Sequence, residues 1–264
     1  MPYGLLGRPT PVGMPNVRVE QGFDPRRIAG LLQWFDASKP SSVTLNGSNV
    51  SQWSDLSGAD RHATQATAAN QPAYQSTGWG GRYPTIAFTG WSAHFLTFTP
   101  FSTSAITIFA AVEPTAAVAS GTGASILACN PAVSGTPANS RHRLSFINIS
   151  GYRTVNAYLG AQSVTGAIGF DGFEQARMHL SVAYDGVSTN STSSYVIRKN
   201  RAGVTSQTSG LFNMEDNTAS IGRRSALVSD YFTGRISSII IYSRALTLAE
   251  TQYVEDGLAS LYPL

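Results

Sequence analysis

The chain contains 264 residues and carries a formal net charge of +3 at pH 7, which is too small to indicate a nucleic-acid partner. Only 12% of its residues are charged, about half of the usual share of roughly 25%, and Ser, Thr, Asn, Gln and Gly fill the polar positions instead. No apolar run approaches the roughly 20 residues of a membrane-spanning helix, so we expect no membrane partner.

Residues 1–27 form the first predicted unit, an extended N-terminal arm. Prolines alternate with glycines along it, which prevents a helix and interrupts any central strand. We expect the arm to dock either on its own domain or on a neighbouring subunit, and we favour the neighbouring subunit. The residues predicted to make this contact are Tyr3, Leu5, Leu6, Arg8, Val17 and Phe23. The start lacks the basic and apolar regions of a signal peptide, which predicts synthesis in a cytoplasm.

Residues 28–264 form the second predicted unit, in which short apolar segments are separated by turn residues. The predicted strands are 31–36, 85–88, 95–98, 105–112, 125–129, 144–149, 154–159, 178–184 and 194–198. Many short strands followed by a single terminal helix predict an antiparallel sandwich or barrel. Cys129 is the single cysteine, so no disulfide can form within the chain.

The last predicted strand begins near Phe232 and is apolar on both faces. Strict alternation places Ile236, Ile240 and Tyr242 on one face and Ile239 and Ile241 on the other. We therefore expect the end of this strand to be buried on both sides.

A helix is predicted directly after this strand. Thr247 and Glu250 have the spacing of a capping box, in which each side chain binds a backbone N–H of the first turn. An apolar stripe at roughly helical spacing is expected to face the sheet. Its members are Leu248, Val254, Leu258 and Leu261.

Several motifs occur in the order found in one known superfamily. They are Trp-Phe-Asp-Ala at 34–37, Trp-Ser-Asp-Leu-Ser-Gly at 53–58, Gln-Pro-Ala-Tyr at 71–74, Tyr-Asp-Gly at 184–186 and Ile-Gly at 221–222, before the closing strand and helix. In these motifs and in their order, the chain resembles the concanavalin A-like lectin and glucanase (laminin-G-like) superfamily. The resemblance implies a jelly-roll β-sandwich of two antiparallel sheets over residues 28–264, with the arm before it and a short helix at its end.

The superfamily includes glucan hydrolases, which need two carboxylates at the scissile bond. Their signature in this fold is Glu-x-Asp-x-Glu or Glu-x-Asp-x-x-Glu on one strand, since alternate positions share a face. No glutamate of this chain has a second carboxylate at that spacing on a predicted strand. We therefore predict no enzyme, no catalytic residue and no cofactor, and keep a glycoside hydrolase only as a third alternative.

A turn at residues 55–60 allows two interpretations. Asp55, Ser57 and Asp60 could supply oxygens to a Ca²⁺ ion, as loops of related lectins do. Alternatively, the Asp and Ser side chains cap the backbone of their own turn. We favour turn capping, because calcium loops usually gather more acidic residues, and we predict no metal site.

Aromatic residues beside glycines form the best candidate for a glycan contact. The residues are Trp79, Arg82, Tyr83 and Trp91. Trp79 stands among three glycines, so we expect it to lie outside the strand core, whereas Trp34 and Trp53 are expected inside. A sugar could stack on such rings, but packing or subunit contact is the favoured interpretation for these four residues.

Domains that share these opening motifs are often found in bacteriophage structural proteins. The resemblance therefore implies a non-enzymatic virion protein. We expect a capsid decoration or cement protein, anchored to major capsid or tail proteins through its arm and forming homo-oligomers on the particle. The alternative is a tail- or fibre-associated protein that binds a host surface glycan.

Overall fold

A computed structural model describes residues 22–101, 103–116, 123–130, 142–149, 152–159, 162–165, 176–185, 193–208, 218–224 and 230–264. Within these residues the strands are β1 (Leu31–Asp36), β2 (Val43–Asn46), β3 (Asn49–Trp53), β4 (Ala63–Thr64), β5 (Ala73–Trp79), β6 (Tyr83–Phe88), β7 (Leu96–Phe98), β8 (Ile106–Pro114), β9 (Gly123–Asn130), β10 (His142–Ile149), β11 (Tyr152–Leu159), β12 (Gln162–Thr165), β13 (Met178–Tyr184), β14 (Ser193–Lys199), β15 (Ala202–Thr208), β16 (Thr218–Ile221) and β17 (Gly234–Tyr242). Helix α1 spans Leu248–Leu261, and short 3-10 turns lie at Pro25–Arg27, Pro40–Ser42, Ala68–Asn70 and Gly90–Ser92. None of the helices in this part of the chain is long and apolar enough to cross a membrane.

The strands form two antiparallel layers. The helix sheet, on which α1 packs, has the order β15-β14-β13-β8-β17-β1, and the β5–β6 hairpin pairs with the first residues of β17. The second sheet has the order β12-β11-β10-β9-β16-β7-β4-β3-β2. The two sheets are joined where Asn49 of β3 pairs with Ala73 of β5. The predicted antiparallel sandwich with a terminal helix is confirmed.

Two apolar cores hold the layers together. The inter-sheet core lies between the two sheets and includes Phe35, Trp53, Ile86, Phe88, Ile108, Val112, Leu127, Phe146, Val182, Ile221, Ile236 and Ile239. The helix core lies between α1 and the helix sheet and includes Trp34, Trp79, Phe109, Ile240, Tyr242, Val254, Leu258 and Tyr262. The central strands of the helix sheet are therefore buried on both faces, as the sequence predicted for the closing strand.

A β-bulge in β17 changes which residues face each core. The register against β8 shifts directly after Ile236, at Ser237. Ile236 consequently joins Ile239 in the inter-sheet core, while Ile240 and Tyr242 face the helix core. The expectation that Ile236 shares a face with Ile240 was wrong, because the extra residue of a bulge moves the alternation by one position.

The predicted capping box starts helix α1. The Glu250 N–H donates to Thr247 Oγ1 at 3.3 Å, and the Thr247 N–H donates to Glu250 Oε2 at 2.9 Å. The Arg244 guanidinium also donates to both carboxylate oxygens, and this hydrogen bonding lowers the pKa of Glu250 to about 2.

Three members of the predicted helix stripe face the sheet, but the first does not. Val254 and Leu258 are fully buried, and Leu261 is half-buried against the helix core. Leu248 is 61% exposed, because the first turn of α1 lies over a groove beside Val196 rather than over the core.

The last part of the predicted arm packs on the chain's own helix. The Phe23 ring lies 5.7 Å from the Tyr253 ring, and Gly257 leaves the space that the Phe23 ring occupies. The Asp24 side chain caps the turn at Pro25–Arg27 that leads into β1. Phe23 thus follows the less favoured alternative, docking on its own domain. The other predicted docking residues, Tyr3, Leu5, Leu6, Arg8 and Val17, lie outside the described residues.

Tyr262 connects the end of the chain to β1 and β17. Its hydroxyl donates to Asp36 Oδ1 at 2.5 Å and accepts the Ser38 N–H at 2.9 Å. The ring is fully buried, and this burial, with the Asp36 carboxylate beside it, raises the pKa of Tyr262 well above its usual range. The hydroxyl therefore keeps its proton and donates a hydrogen bond to Asp36 inside the helix core.

We predict that Tyr262→Phe lowers the free energy of unfolding by about 1–3 kcal/mol, because it removes one donor of a buried carboxylate and leaves that carboxylate with the Ser38 N–H and hydroxyl. Urea denaturation measures the change. Tyr74→Phe is the matched control, since the Tyr74 hydroxyl is only part-buried and its bond to Ala37 O is long at 3.5 Å. A loss no larger in Tyr262→Phe than in the control would contradict the prediction.

Candidate functional site

The structure separates the four residues of the predicted aromatic cluster. Trp79 ends β5 and Tyr83 begins β6, so with Arg82 they form the tip of a hairpin. Trp91 lies beyond the opposite end of β6, and a strand of this length spans roughly 20 Å. The four residues therefore do not form one site.

Trp79 belongs to the helix core. It is fully buried, its Nε1–H donates to Pro263 O at 2.8 Å, and its ring stacks parallel to His179 with 6.0 Å between the centroids. Gly80 and Gly81 have φ angles of +59° and +72° and make the tight turn that follows. The expectation that Trp79 lies outside the core was wrong, because these glycines serve the turn and not an exposed loop. Trp79 nevertheless follows the favoured interpretation for the four residues, because it packs inside the protein.

Arg82 and Tyr83 form a modest surface feature at the hairpin tip. Arg82 is exposed, and its guanidinium lies 5.7 Å from the centroid of the Tyr83 ring. Tyr83 is half-buried and packs against the helix core.

In the turn at 55–60, the Asp55 carboxylate caps backbone N–H groups. Asp55 Oδ1 accepts the N–H groups of Trp34 and Ser57, and Oδ2 accepts the Ser57 hydroxyl and the Arg61 N–H. Oδ1 thus holds the turn to β1, while Oδ2 binds groups of residues 57–61. Within the described ranges, no group of three His, Cys, Asp or Glu side chains could hold a metal ion.

Three glutamates of the sandwich are bound to arginines. Arg198 donates to both oxygens of Glu255, Arg235 lies 2.9 Å from Glu113, and Arg244 holds Glu250. These carboxylates stabilise the packing of the helix sheet and α1.

Trp91 is the most exposed large apolar side chain in the described part of the chain. Its exposed fraction is 97%. It sits on the 3-10 turn Gly90–Ser92, and the next residue, Ala93, has a φ angle of 50°. We call residues 89–94 the Trp91 turn.

The Trp91 turn is tied to the sandwich on several sides. The Gly90 N–H donates to Thr233 Oγ1 at 2.9 Å, and Asn70 Nδ2 donates to Ala93 O at 3.1 Å. The Thr89 N–H donates to His94 Nδ1 at 3.2 Å. Burial lowers the pKa of His94, which keeps its ring neutral and Nδ1 free to accept this bond. Trp91 is therefore exposed on a fixed backbone.

Further side chains surround the Trp91 turn. Gly90 packs against Tyr231, and Gly222 packs against the carbonyl of His94. Arg223 follows Gly222, and the neighbouring Arg224 lies 3.7 Å from Asp230. We call Trp91, Tyr231, Arg223, Arg224 and Asp230 the Trp91 face.

The chemistry of the Trp91 face suits a polar ligand with one apolar side. An exposed indole offers a flat surface for stacking, while hydroxyl, carboxylate and guanidinium groups donate and accept hydrogen bonds. Sugars combine a C–H face with hydroxyls in this way. Trp91 was predicted from the sequence as a possible glycan contact. Tyr231, Arg223, Arg224 and Asp230 were not, because they are far from Trp91 along the chain and only folding brings their segments to the Trp91 turn.

No protein-family model matches the chain, and no curated protein matches it in sequence. Solved structures do share its architecture. Domain 4 of AbnA, a GH43 extracellular arabinanase from Geobacillus stearothermophilus in complex with arabinotriose, superimposes with a TM-score of 0.58 at 14% identity, over 86% of this chain and 98% of that domain. The chain folds as a concanavalin A-like β-sandwich.

Two further structures have the same TM-score of 0.58. The binding domain of Paraclostridial Mosquitocidal Protein 1 is 11% identical over 90% of this chain, and an arabinofuranosidase complexed with arabinofuranosyl-alpha-1,2-xylobiose is 10% identical over 81%. The chain spans 53% and 51% of their lengths. Identities this low show that the concanavalin A-like fold is shared, and no more.

We predict opposite effects of truncating the two tryptophans. Trp79→Ala should lower the free energy of unfolding by about 3–5 kcal/mol, because it empties a packed site. Trp91→Ala should change it by less than about 0.5 kcal/mol, because the ring contacts mostly water. Urea denaturation of both variants tests this, and a stable Trp79→Ala protein would contradict the burial of that ring.

Acidification should destabilise the fold through His179. Burial lowers the pKa of His179 below its ordinary 6.5, while Nε2–H donates to Tyr262 O at 2.9 Å. The contribution to stability is complete above pH 6.5 and falls as the pH drops towards the folded-state pKa, because only the unfolded chain then gains protons. Urea denaturation at several pH values should show that acidification lowers the free energy of unfolding less in His179→Gln than in the parent. An equal fall in the two proteins would contradict this role of His179. Part of the fall that remains in His179→Gln comes from His94, because burial lowers its pKa as well.

Proposed function

We propose that the chain is a non-enzymatic binding domain that recognises a surface carbohydrate through the Trp91 face. The observation that carries this proposal is the 97% exposure of Trp91 on a turn fixed by hydrogen bonds to Thr233 and Asn70. Large aromatic side chains are buried in most folds, and an isolated, rigidly held one offers a ready stacking surface.

The rigidity of the turn favours binding over chance exposure. A ligand that stacks on Trp91 does not have to order the backbone, because Ala93 and Gly90 already hold it in place. Preorganisation of this kind lowers the entropy cost of association. Tyr231 and the charged groups beside it extend the same surface.

The solved structures with this fold support the proposal by analogy. The arabinanase domain is described in complex with arabinotriose, and the mosquitocidal protein's domain is described as a binding domain. Fold alone does not assign a function, so the argument depends on the exposed ring. The arginine partners of Glu113, Glu250 and Glu255 support a binding role rather than hydrolysis, because those carboxylates are committed to structure.

The capsid-decoration role, with an arm anchored to neighbouring virion proteins, stays a prediction. Phe23 packs on the chain's own helix, and the other docking residues lie outside the described part of the chain. We therefore place glycan recognition first. A position on a virion tail or fibre, the earlier alternative, is compatible with it.

Binding to an array of host-surface and plant polysaccharides tests the proposal. We expect saturable binding that Trp91→Ala weakens by about tenfold or more, the equivalent of about 1.4 kcal/mol. Leu248→Ala is the matched control, because Leu248 is a large apolar residue, 61% exposed, on the distant helix α1. Binding that Trp91→Ala and Leu248→Ala affect equally, or no binding to any polysaccharide, would overturn the proposal.

A further inference from the structure

Arg223 differs from the arginines that pair with glutamates of the sandwich. Its guanidinium carbon lies 3.4 Å from the centroid of the Phe95 ring, so the planar group rests on an aromatic face. Arg198, Arg235 and Arg244 instead bind glutamates. Stacking fixes the plane of a guanidinium while leaving its N–H donors available.

One donor of the Arg223 guanidinium, the Nε–H group, has no acceptor among the described residues. This Nε atom is buried. A buried donor without an acceptor is costly and calls for an explanation. The Asp230 carboxylate lies 3.7 Å from the Arg224 guanidinium. Because the Trp91 face contains two arginines and one aspartate, it carries an excess of positive charge.

The segment that carries Arg223 is fixed against the Trp91 turn. The Gly222 N–H donates to Ile126 O at 3.0 Å, and Gly222 O accepts the Phe232 N–H at 2.8 Å. Gly222 has a φ angle of +87° and packs against Phe88 and the His94 carbonyl, where a Cβ would clash. Arg223 is thus fixed beside His94 and Phe95, at the end of the Trp91 turn.

We infer that the ligand of the Trp91 face is an acidic glycan whose carboxylate or sulfate binds Arg223 while a sugar ring stacks on Trp91. This inference rests on the proposed function and specifies its substrate class. A planar guanidinium matches the two oxygens of a carboxylate or sulfate in a bidentate hydrogen bond, which a neutral sugar cannot provide.

The test measures binding of the full chain to immobilised polymers of different charge. Polygalacturonate and hyaluronan present carboxylates, dextran sulfate presents sulfates, and methyl-esterified polygalacturonate and dextran are the neutral counterparts. We expect binding to a carboxylate or sulfate polymer that weakens about tenfold or more in Arg223→Gln, through loss of a charge-assisted bond. Arg223→Lys should give an intermediate loss, because it keeps the charge without the planar fork.

Arg82→Gln is the matched control. Arg82 is an exposed arginine beside the Tyr83 ring at the far end of β6, so it reports non-specific attraction of a cationic protein to polyanions. We expect its affinity to stay within about twofold of the parent at about 0.15 M salt, where charges farther apart than about 8 Å are screened. Urea denaturation confirms that each variant is folded.

The outcomes separate the inference from the proposed function. Trp91-dependent binding that is confined to the neutral polymers, or that Arg223→Gln leaves unchanged, overturns the acidic ligand and leaves glycan recognition intact. Equal losses in Arg223→Gln and Arg82→Gln also overturn it, because the attraction is then non-specific. No Trp91-dependent binding to any polymer overturns both.

Discussion

Burial of β17 on both faces is the constraint on which the rest of the molecule depends. This strand pairs with β1, β6 and β8, and it contributes to the inter-sheet core and to the helix core. Its bulge at Ser237 directs Ile236 into one core and leaves Ile240 for the other. Thr233, just before the strand, accepts the bond that fixes the Trp91 turn. The surface that we propose for binding therefore inherits its rigidity from the centre of the fold.

Features encoded by neighbouring residues could be predicted from the sequence. The capping box of Thr247 and Glu250 needs only four consecutive residues, and the structure reproduces it. The predicted strand at 178–184 likewise corresponds to β13. The bulge in β17 could not be predicted, because Ser237 and Ser238 are compatible with regular pairing.

Trp79 and Trp91 show the same limit, because the residues beside each tryptophan do not reveal whether its side chain is buried. Gly78, Gly80 and Gly81 suggested an exposed position for Trp79, but its partner Pro263 lies 184 residues away. No local pattern contains that contact. Trp91 also stands beside a glycine, yet its side chain is exposed. Arg223 gave no signal in the sequence, because its stacking on Phe95 comes from pairing between distant strands.

The position of β17 in the chain has a consequence for folding. The bond from the Ser238 hydroxyl to Phe35 O joins residues 203 positions apart, and β8 is separated from β1 in the helix sheet until β17 enters between them. Contacts at this separation are slow to form, since the loop must close before burial compensates. During synthesis, β1, β6 and β8 leave the ribosome long before their common partner. Before then, β6 can pair with β5 and β8 with β13, whereas among the described strands β17 is the partner of β1. The nascent domain therefore carries β1 unpaired for most of its translation, and the helix sheet closes only when β17 arrives.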